Sequence, residues 1–209
     1  MSLQTQNIVY QYTEQKSFRF PDLKLESGGS ALLLGPSGSG KSTYLHVLSG
    51  LLPPQGGMVK IAGKELYELN NRQRDHFRGA QLGIVFQQNY FLPYLNISEN
   101  LALAARYRQV ANPAEEIMSI LKRLQIEHIA KQKPADCSVG EQQRASLARA
   151  LMGKPAVVLA DEPTSALDDA NTEITIQLLK EQVAAKNASL LIVTHDQRLK
   201  SAFQNIYRL

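Results

Sequence analysis

The chain contains a single cysteine, Cys137, so it cannot close an internal disulfide. That usage suits a reducing compartment. No apolar run reaches the roughly 18 residues that a membrane-spanning helix needs. The first residues, Met1 to Gln6, carry no apolar signal segment. No block of five like charges occurs, so the net charge of +4 and the pI of about 9.1 describe a dispersed basic surface. Such a surface suits an anionic ligand, an anionic membrane face or nucleic acid, and it selects none of them. Internal repeats, low-complexity tracts and flexible linkers are lacking too. These absences exclude a disulfide-stapled scaffold and a chain that itself spans a membrane by helices.

What remains is ordinary in bulk and specific in pattern. Apolar residues make up 44% and charged residues 20%, as in a soluble globular protein. A length of 209 residues allows one domain with a substantial core and two lobes. Strands and helices alternate, which predicts an α/β fold. Short apolar runs at 30–34, 58–62, 82–86, 156–160 and 189–193 read as strands. A helix is predicted from Lys41 to Ser49, with Gly50 as its stop. Asn112-Pro113-Ala114-Glu115 reads as a capped helix start. From about Asn89 to Lys154 the pattern is mostly helical. The expected architecture is a core lobe of residues 1–88 and 155–209, a mixed sheet flanked by helices, interrupted by a helical subdomain at 89–154.

Two segments carry recognisable chemistry. Gly35-Pro36-Ser37-Gly38-Ser39-Gly40-Lys41-Ser42 is a phosphate-binding loop between an apolar strand and a helix. Its glycines let consecutive backbone N–H groups turn toward phosphate, and the helix start adds its positive dipole end. Lys41 is placed to reach the β- and γ-phosphates, as a binding and catalytic candidate. Ser42 is placed to ligate Mg²⁺, and Thr43 completes the set. Farther on, Val157-Val158-Leu159-Ala160 ends in Asp161-Glu162. This resembles the Walker B element that accompanies such a loop, and the resemblance implies Asp161 holding Mg²⁺ and Glu162 as general base toward water. An apolar strand that ends in acids is common by itself; the phosphate loop upstream gives this one its meaning.

Between them lies Cys137-Ser138-Val139-Gly140-Glu141-Gln142-Gln143-Arg144. Ser138-x-x-Glu141 is a capping box, and a well-capped helix is its plainest interpretation. Its position just before the acidic strand makes the chain resemble the ATP-binding-cassette (ABC) ATPases, whose signature there runs Leu-Ser-Gly-Gly-Gln. Valine at 139 departs from that pattern, Cys137 does so more mildly, and Glu141 is a familiar variant.

The resemblance implies further roles. Ser138, Gly140 and Glu141 are expected to bind the γ-phosphate of ATP held by a second copy. Gln87, with Gln88 competing for the register, is expected to contact Mg²⁺ and water. Asp168, in Ser165-Ala166-Leu167-Asp168, is expected at the dimer interface. His195 is expected on the γ-phosphate. Tyr12 is expected to stack on adenine, with Tyr10 and Phe18 as competitors. His46, His76 and His128 match no motif and read as structural. Leu82 to Gln87, continuing to Leu92-Pro93 and preceded by Arg74 to Gly79, resembles the lipoprotein-release and macrolide-export subgroup. The end at Leu209 matches the family's last strand, so no C-terminal regulatory domain is expected.

The resemblance thus implies an ATP- and Mg²⁺-dependent homodimer that drives a separate transmembrane permease subunit from the cytoplasmic face of the membrane. Asn89 to Tyr94 is the expected docking segment for that partner. No nucleic acid is expected. Two other classes stay open on the residues alone: a soluble ABC ATPase acting on nucleic acid or a division complex, and an ATP-gated scaffold with negligible hydrolysis.

Overall fold

The computed structural model describes residues 1–13, 16–165, 167 and 169–209. In chain order the elements are β1 (Leu3–Thr13), β2 (Lys16–Arg19), β3 (Lys24–Leu25), β4 (Ser30–Leu34), α1 (Lys41–Leu48), β5 (Gly56–Ile61), β6 (Lys64–Glu65), α2 (Asn71–Gln81) and β7 (Leu82–Val85). Next come α3 (Ile97–Tyr107), α4 (Pro113–Arg123), α5 (Val139–Leu151), β8 (Val157–Asp161), α6 (Asp169–Ala185), β9 (Ser189–Thr194) and β10 (Asn205–Arg208).

The strands form two sheets. One is wholly parallel, in the order β10-β4-β9-β8-β7. The other is antiparallel, in the order β2-β1-β5-β6, with β3 also on β1. Parallel strands covered on both faces read as continuous apolar runs, which is why β8 and β9 are legible in the sequence. Both are buried along their whole length. Alternate residues then serve two cores. Leu32, Val158, Leu190 and Ile192 face α3–α6, packing with Leu101, Leu121, Leu147 and Leu179. Leu33, Leu159, Leu191 and Val193 face α1 and the antiparallel sheet, packing with Leu45, Leu48, Val59 and Ile61.

Strand ends fall within two residues of the sequence reading. That reading assigns no element to the antiparallel strands β1–β3, to α2 or to α6. For α2 the reason is physical: none of its residues is buried, so no apolar period exists to find. Its start is marked instead by a capping box, in which Gln73 N–H donates to Asn70 Oδ1 at 3.0 Å and Asn70 N–H to Gln73 Oε1 at 3.1 Å. One local expectation is corrected. α4 does begin at Pro113, but Asn112 makes no side-chain cap bond. Its amide instead leans toward Glu115 Oε2 at 3.5 Å.

One side chain fastens the helical segment to the sheet. The half-buried Arg108 guanidinium donates to the carbonyls of Gly79 (3.0 Å), Leu82 (2.6 Å), Ala150 (3.0 Å) and Met152. It thereby joins the end of α2, the start of β7 and the end of α5. Burial lowers its pKa to about 10, still cationic at neutral pH. Replacing Arg108 by alanine orphans several carbonyls at once, and should lower unfolding stability by about 2–4 kcal/mol. Lysine cannot reproduce the planar fork and should recover only part. Urea denaturation of the two variants checks this; an alanine variant as stable as the parent contradicts it.

Candidate functional site

The parallel register brings the predicted residues together. Leu34 pairs with Thr194, and Asp161 pairs with Val193. Gly35, Glu162 and His195 therefore leave neighbouring strands at the same edge, where open α/β sheets bind ligands. A cleft of about 510 Å³ lies there, lined by residues that include Tyr12, Ser37, Gly38, Gly40, Lys41, Ser42, Thr43, Gln87, Glu162 and His195.

The phosphate loop runs from β4 into α1. Gly40 holds the helix entrance with φ +94°, a backbone angle that favours glycine. A Cβ there would also lie 2.7 Å from the Phe18 ring. Gly35 and Pro36 lend their carbonyls to Lys41, whose Nζ donates to them at 2.9 and 2.8 Å. Ser39 N–H closes the turn onto Pro36 at 3.3 Å. Lys41 is 7% exposed and its Nζ stands 4.0 Å from Glu162 Oε1.

The acid pair is differently dressed at its two positions. Asp161 is buried, and its Oδ1 has no hydrogen-bond partner among the described residues. Burial pushes its carboxyl up, opposed by the Ser42 hydroxyl bonded to it and by the nearby His46 and Lys41. An orphaned carboxylate oxygen beside a hydroxyl fits an oxygen-seeking cation, so Ser42 and Asp161 could hold Mg²⁺. Glu162, 7% exposed, is fully partnered. Its Oε2 accepts from Thr194 Oγ1 at 2.6 Å, and its Oε1 from His195 N–H at 3.0 Å and His195 Nδ1 at 2.7 Å. A carboxylate only accepts, so the proton of this contact sits on His195 Nδ1 and Nε2 is left toward the cleft. Glu162 holds this pose with φ +48°, which costs a non-glycine residue on the order of 1 kcal/mol.

An aromatic wall closes one side. Tyr12 hydrogen-bonds through its hydroxyl to Thr43 at 3.0 Å and meets Phe18 edge-on at 6.2 Å. Lys16 Nζ lies 5.7 Å from both ring centroids. Of the three aromatic candidates for the base, Tyr12 and Phe18 line the cleft. Gln87 lines it as well.

The remaining predicted residues lie elsewhere. Ser138, Gly140 and Glu141 begin α5 away from the cleft, with Ser138 as the cap. The capping box forms as expected: Glu141 N–H donates to Ser138 Oγ at 3.3 Å, and Ser138 N–H to Glu141 Oε2 at 2.8 Å. Val139 is 57% exposed. Among the described residues a Cβ on Gly140 would meet nothing closer than 3.7 Å, so these residues give no steric reason for glycine there. Ala166 and Asp168 of the 165–168 segment lie outside the described residues.

Three contacts escape the sequence reading. Lys16 is an isolated lysine on a strand that the reading does not assign. Thr194 is a strand residue whose hydroxyl direction no motif fixes. His128 reads as structural, yet its Nε2 meets Glu141 Oε1 at 2.7 Å. Thirteen residues and a turn separate that pair, so no helical period reveals it.

Comparison with known proteins agrees with this geometry. Residues 19–165 match the ABC transporter family. The lipoprotein-releasing system ATP-binding protein LolD of Hydrogenovibrio crunogenus is 37% identical, covering 99% of this chain and 93% of its own. LolD of Saccharophagus degradans is 38% identical, covering 97% and 92%. A solved dimeric ATP-binding cassette, MJ0796, in a post-hydrolysis state with ADP and Pi, superposes with a TM-score of 0.89 at 30% identity, covering 99% of this chain and 94% of that one. The chain therefore belongs to the ABC transporter family, as an ATP-hydrolysing cassette similar to the lipoprotein-releasing ATP-binding proteins.

Proposed function

We propose that this chain binds MgATP in the cleft, pairs with a second copy across two ATP molecules, and drives a transmembrane permease subunit. The observation that carries the reading is the fixed carboxylate of Glu162, held by Thr194 and His195 within 4.0 Å of the phosphate-loop lysine. In this reading Gly35 to Thr43 cradle the phosphates through backbone N–H groups and the dipole of α1. Ser42 and Asp161 hold Mg²⁺, with Gln87 beside them; the metal, when bound, draws charge from the phosphate oxygens. Glu162 orients a water and accepts its proton as the water oxygen attacks the γ-phosphorus. The bond to the bridging oxygen breaks, giving ADP and phosphate. Lys41 stabilises charge on the transferring group, and His195 does so through Nε2–H when its ring carries both protons. Tyr12, beside Phe18, supports the adenine. Catalysis by this set is positioning and electrostatics.

Ser138, Gly140 and Glu141 face no ATP of their own chain, and Gly140 has room for a side chain. Both facts are accounted for if a second copy presents its ATP there, with Asp168 at the same interface. The lobes follow the same division: core at 1–88 and 155–209, helical lobe at 89–154. The segment after Gln87 is the proposed permease contact. Tyr90 and Tyr94 are 65% and 88% exposed, while Phe91 packs on the core beneath the Arg149 guanidinium, 4.8 Å from its centroid. Arg149, on α5, also donates to the carbonyls of Asn89 (2.6 Å) and Tyr90 (2.7 Å). The docking segment and the helix that bears Ser138 are thus hydrogen-bonded together. Among the described residues no helix is long and apolar enough to cross a membrane. In this reading the permease is a separate chain and holds this one at the cytoplasmic face. The relatives' names make released lipoproteins the cargo class to test first.

Three measurements test this reading. Glu162→Gln should bind ATP normally and lose turnover by ~10²–10⁴, since the near-isosteric amide is no base. With ATP it should elute as a dimer in gel filtration; a monomer with parental turnover sinks the assignment. Gly140→Asp should bind ATP as the parent does yet lose most turnover, because it sets a carboxylate against the partner's γ-phosphate, whereas Val139→Gly should stay within about tenfold, or ~1.4 kcal/mol. Normal ATPase rates in Gly140→Asp would reduce Ser138–Glu141 to a helix cap. A photocrosslinker at position 94 should capture a membrane subunit in intact membranes, and one at the distant Met118 should not; equal capture at both positions refutes the docking segment.

A further inference from the structure

We propose that His128 is a positioning residue for the signature end of α5: its ring holds the Glu141 carboxylate in the cap and offsets its charge where a partner's ATP binds. The proposal rests on the reading of Ser138–Glu141 as a clamp for the second copy's nucleotide.

The geometry is specific. His128 sits on a single 3-10 turn, Glu127–Ile129, fixed from behind. Ile126 and Ile129 are buried in the large core, and the adjoining Ala130 and Gln132 carbonyls accept from Ser98 and Ile97 at the start of α3. The imidazole itself is mostly exposed, so burial does not dictate where it points. It is nonetheless directed at Glu141, Nε2 to Oε1 at 2.7 Å. The other carboxylate oxygen accepts from Ser138 N–H at 2.8 Å and from the Ser138 hydroxyl at 2.7 Å. Bonds from Ser138 and His128 hold the Glu141 carboxyl down at about 2, so it is ionised at any assay pH.

This creates a problem that a glutamine in the same place would not. A γ-phosphate brought to the start of α5 meets a fixed negative charge, and Ser138 Oγ has already committed its hydrogen to that charge. Like charges at such range oppose each other by a substantial margin. A donor on the far oxygen of Glu141 relieves both effects. It draws carboxylate charge away from Ser138. Other ionisable groups nearby are Glu127 on the same turn, Lys131 and Lys133 on the following connection, Asp136 and Cys137 before the cap, and Arg144 one turn into α5. Of all these, His128 is the one bonded to the Glu141 carboxylate.

The test uses the whole chain in a Glu162→Gln background with saturating MgATP, and reads the dimer dissociation constant by sedimentation. Adding His128→Ala should weaken dimerisation about tenfold. His128→Gln restores a neutral donor and should recover part of the loss. ATP affinity of each monomer should be unchanged, because the contact is made to the other copy's nucleotide. If His128→Ala dimerises like its parent, the proposal is wrong and the clamp stands without it. If the glutamine variant fails as completely as alanine while both melt at lower temperature, His128 is a fold residue and the proposal is again wrong. If the Glu162→Gln parent stays monomeric with ATP, the clamp itself is wrong and this inference falls with it.

Discussion

The site depends on the register of three parallel strands. Because Leu34 pairs with Thr194 and Asp161 with Val193, the residues just past those pairs leave the sheet side by side. Slipping one strand by a residue would turn its core residues to the opposite face and carry its terminal side chain out of reach. The register is defended on both faces, since β8 and β9 bury every residue they have. The hydrophobic packing that stabilises the sheet therefore also fixes the distance between lysine, carboxylate and histidine. Thr194 belongs to both roles: it is fully buried in the sheet, and its hydroxyl aims Glu162.

Both proposed phosphate-binding ends are held by internal partners. Lys41 spends two of its three hydrogens on the carbonyls of Gly35 and Pro36, and Ser138 gives its hydroxyl hydrogen to Glu141. In the proposed function a phosphate oxygen would take up these donors by exchange, so affinity would be a difference between two sets of charge-assisted bonds. The benefit is orientation. Each long or rotatable group is held near its working position, which reduces the entropy lost when the ligand arrives.

What the sequence revealed follows from how local each feature is. The phosphate loop, the acid pair and the histidine after β9 are short segments at strand ends, and the strands are apolar runs. A reader therefore sees both the fold class and the cleft. The capping box at Ser138 is equally local. The antiparallel strands β1–β3 mix exposed with buried positions, and no residue of α2 is fully buried, so neither shows a clean apolar period. The Asn112 cap failed because a favourable residue type does not ensure that its side chain turns inward. Arg108, Thr194 and His128 act through directions and distances set by tertiary packing, and no spacing in the chain encodes those.

The anchoring of α5 at one end has a mechanical consequence. Arg108 pins the carbonyls at its C-terminal end, while the capped end stands thirteen residues away. At 1.5 Å per residue that is an arm of about 20 Å, so a 10° swing about the pinned end displaces the tip by about 3 Å. A hydrogen bond does not survive a change of that size. Arg149, near the pinned end, grips the loop at Asn89 and Tyr90. In the proposed function, a displacement of that loop that tilted the helix would reach the capped end enlarged by the length of the arm.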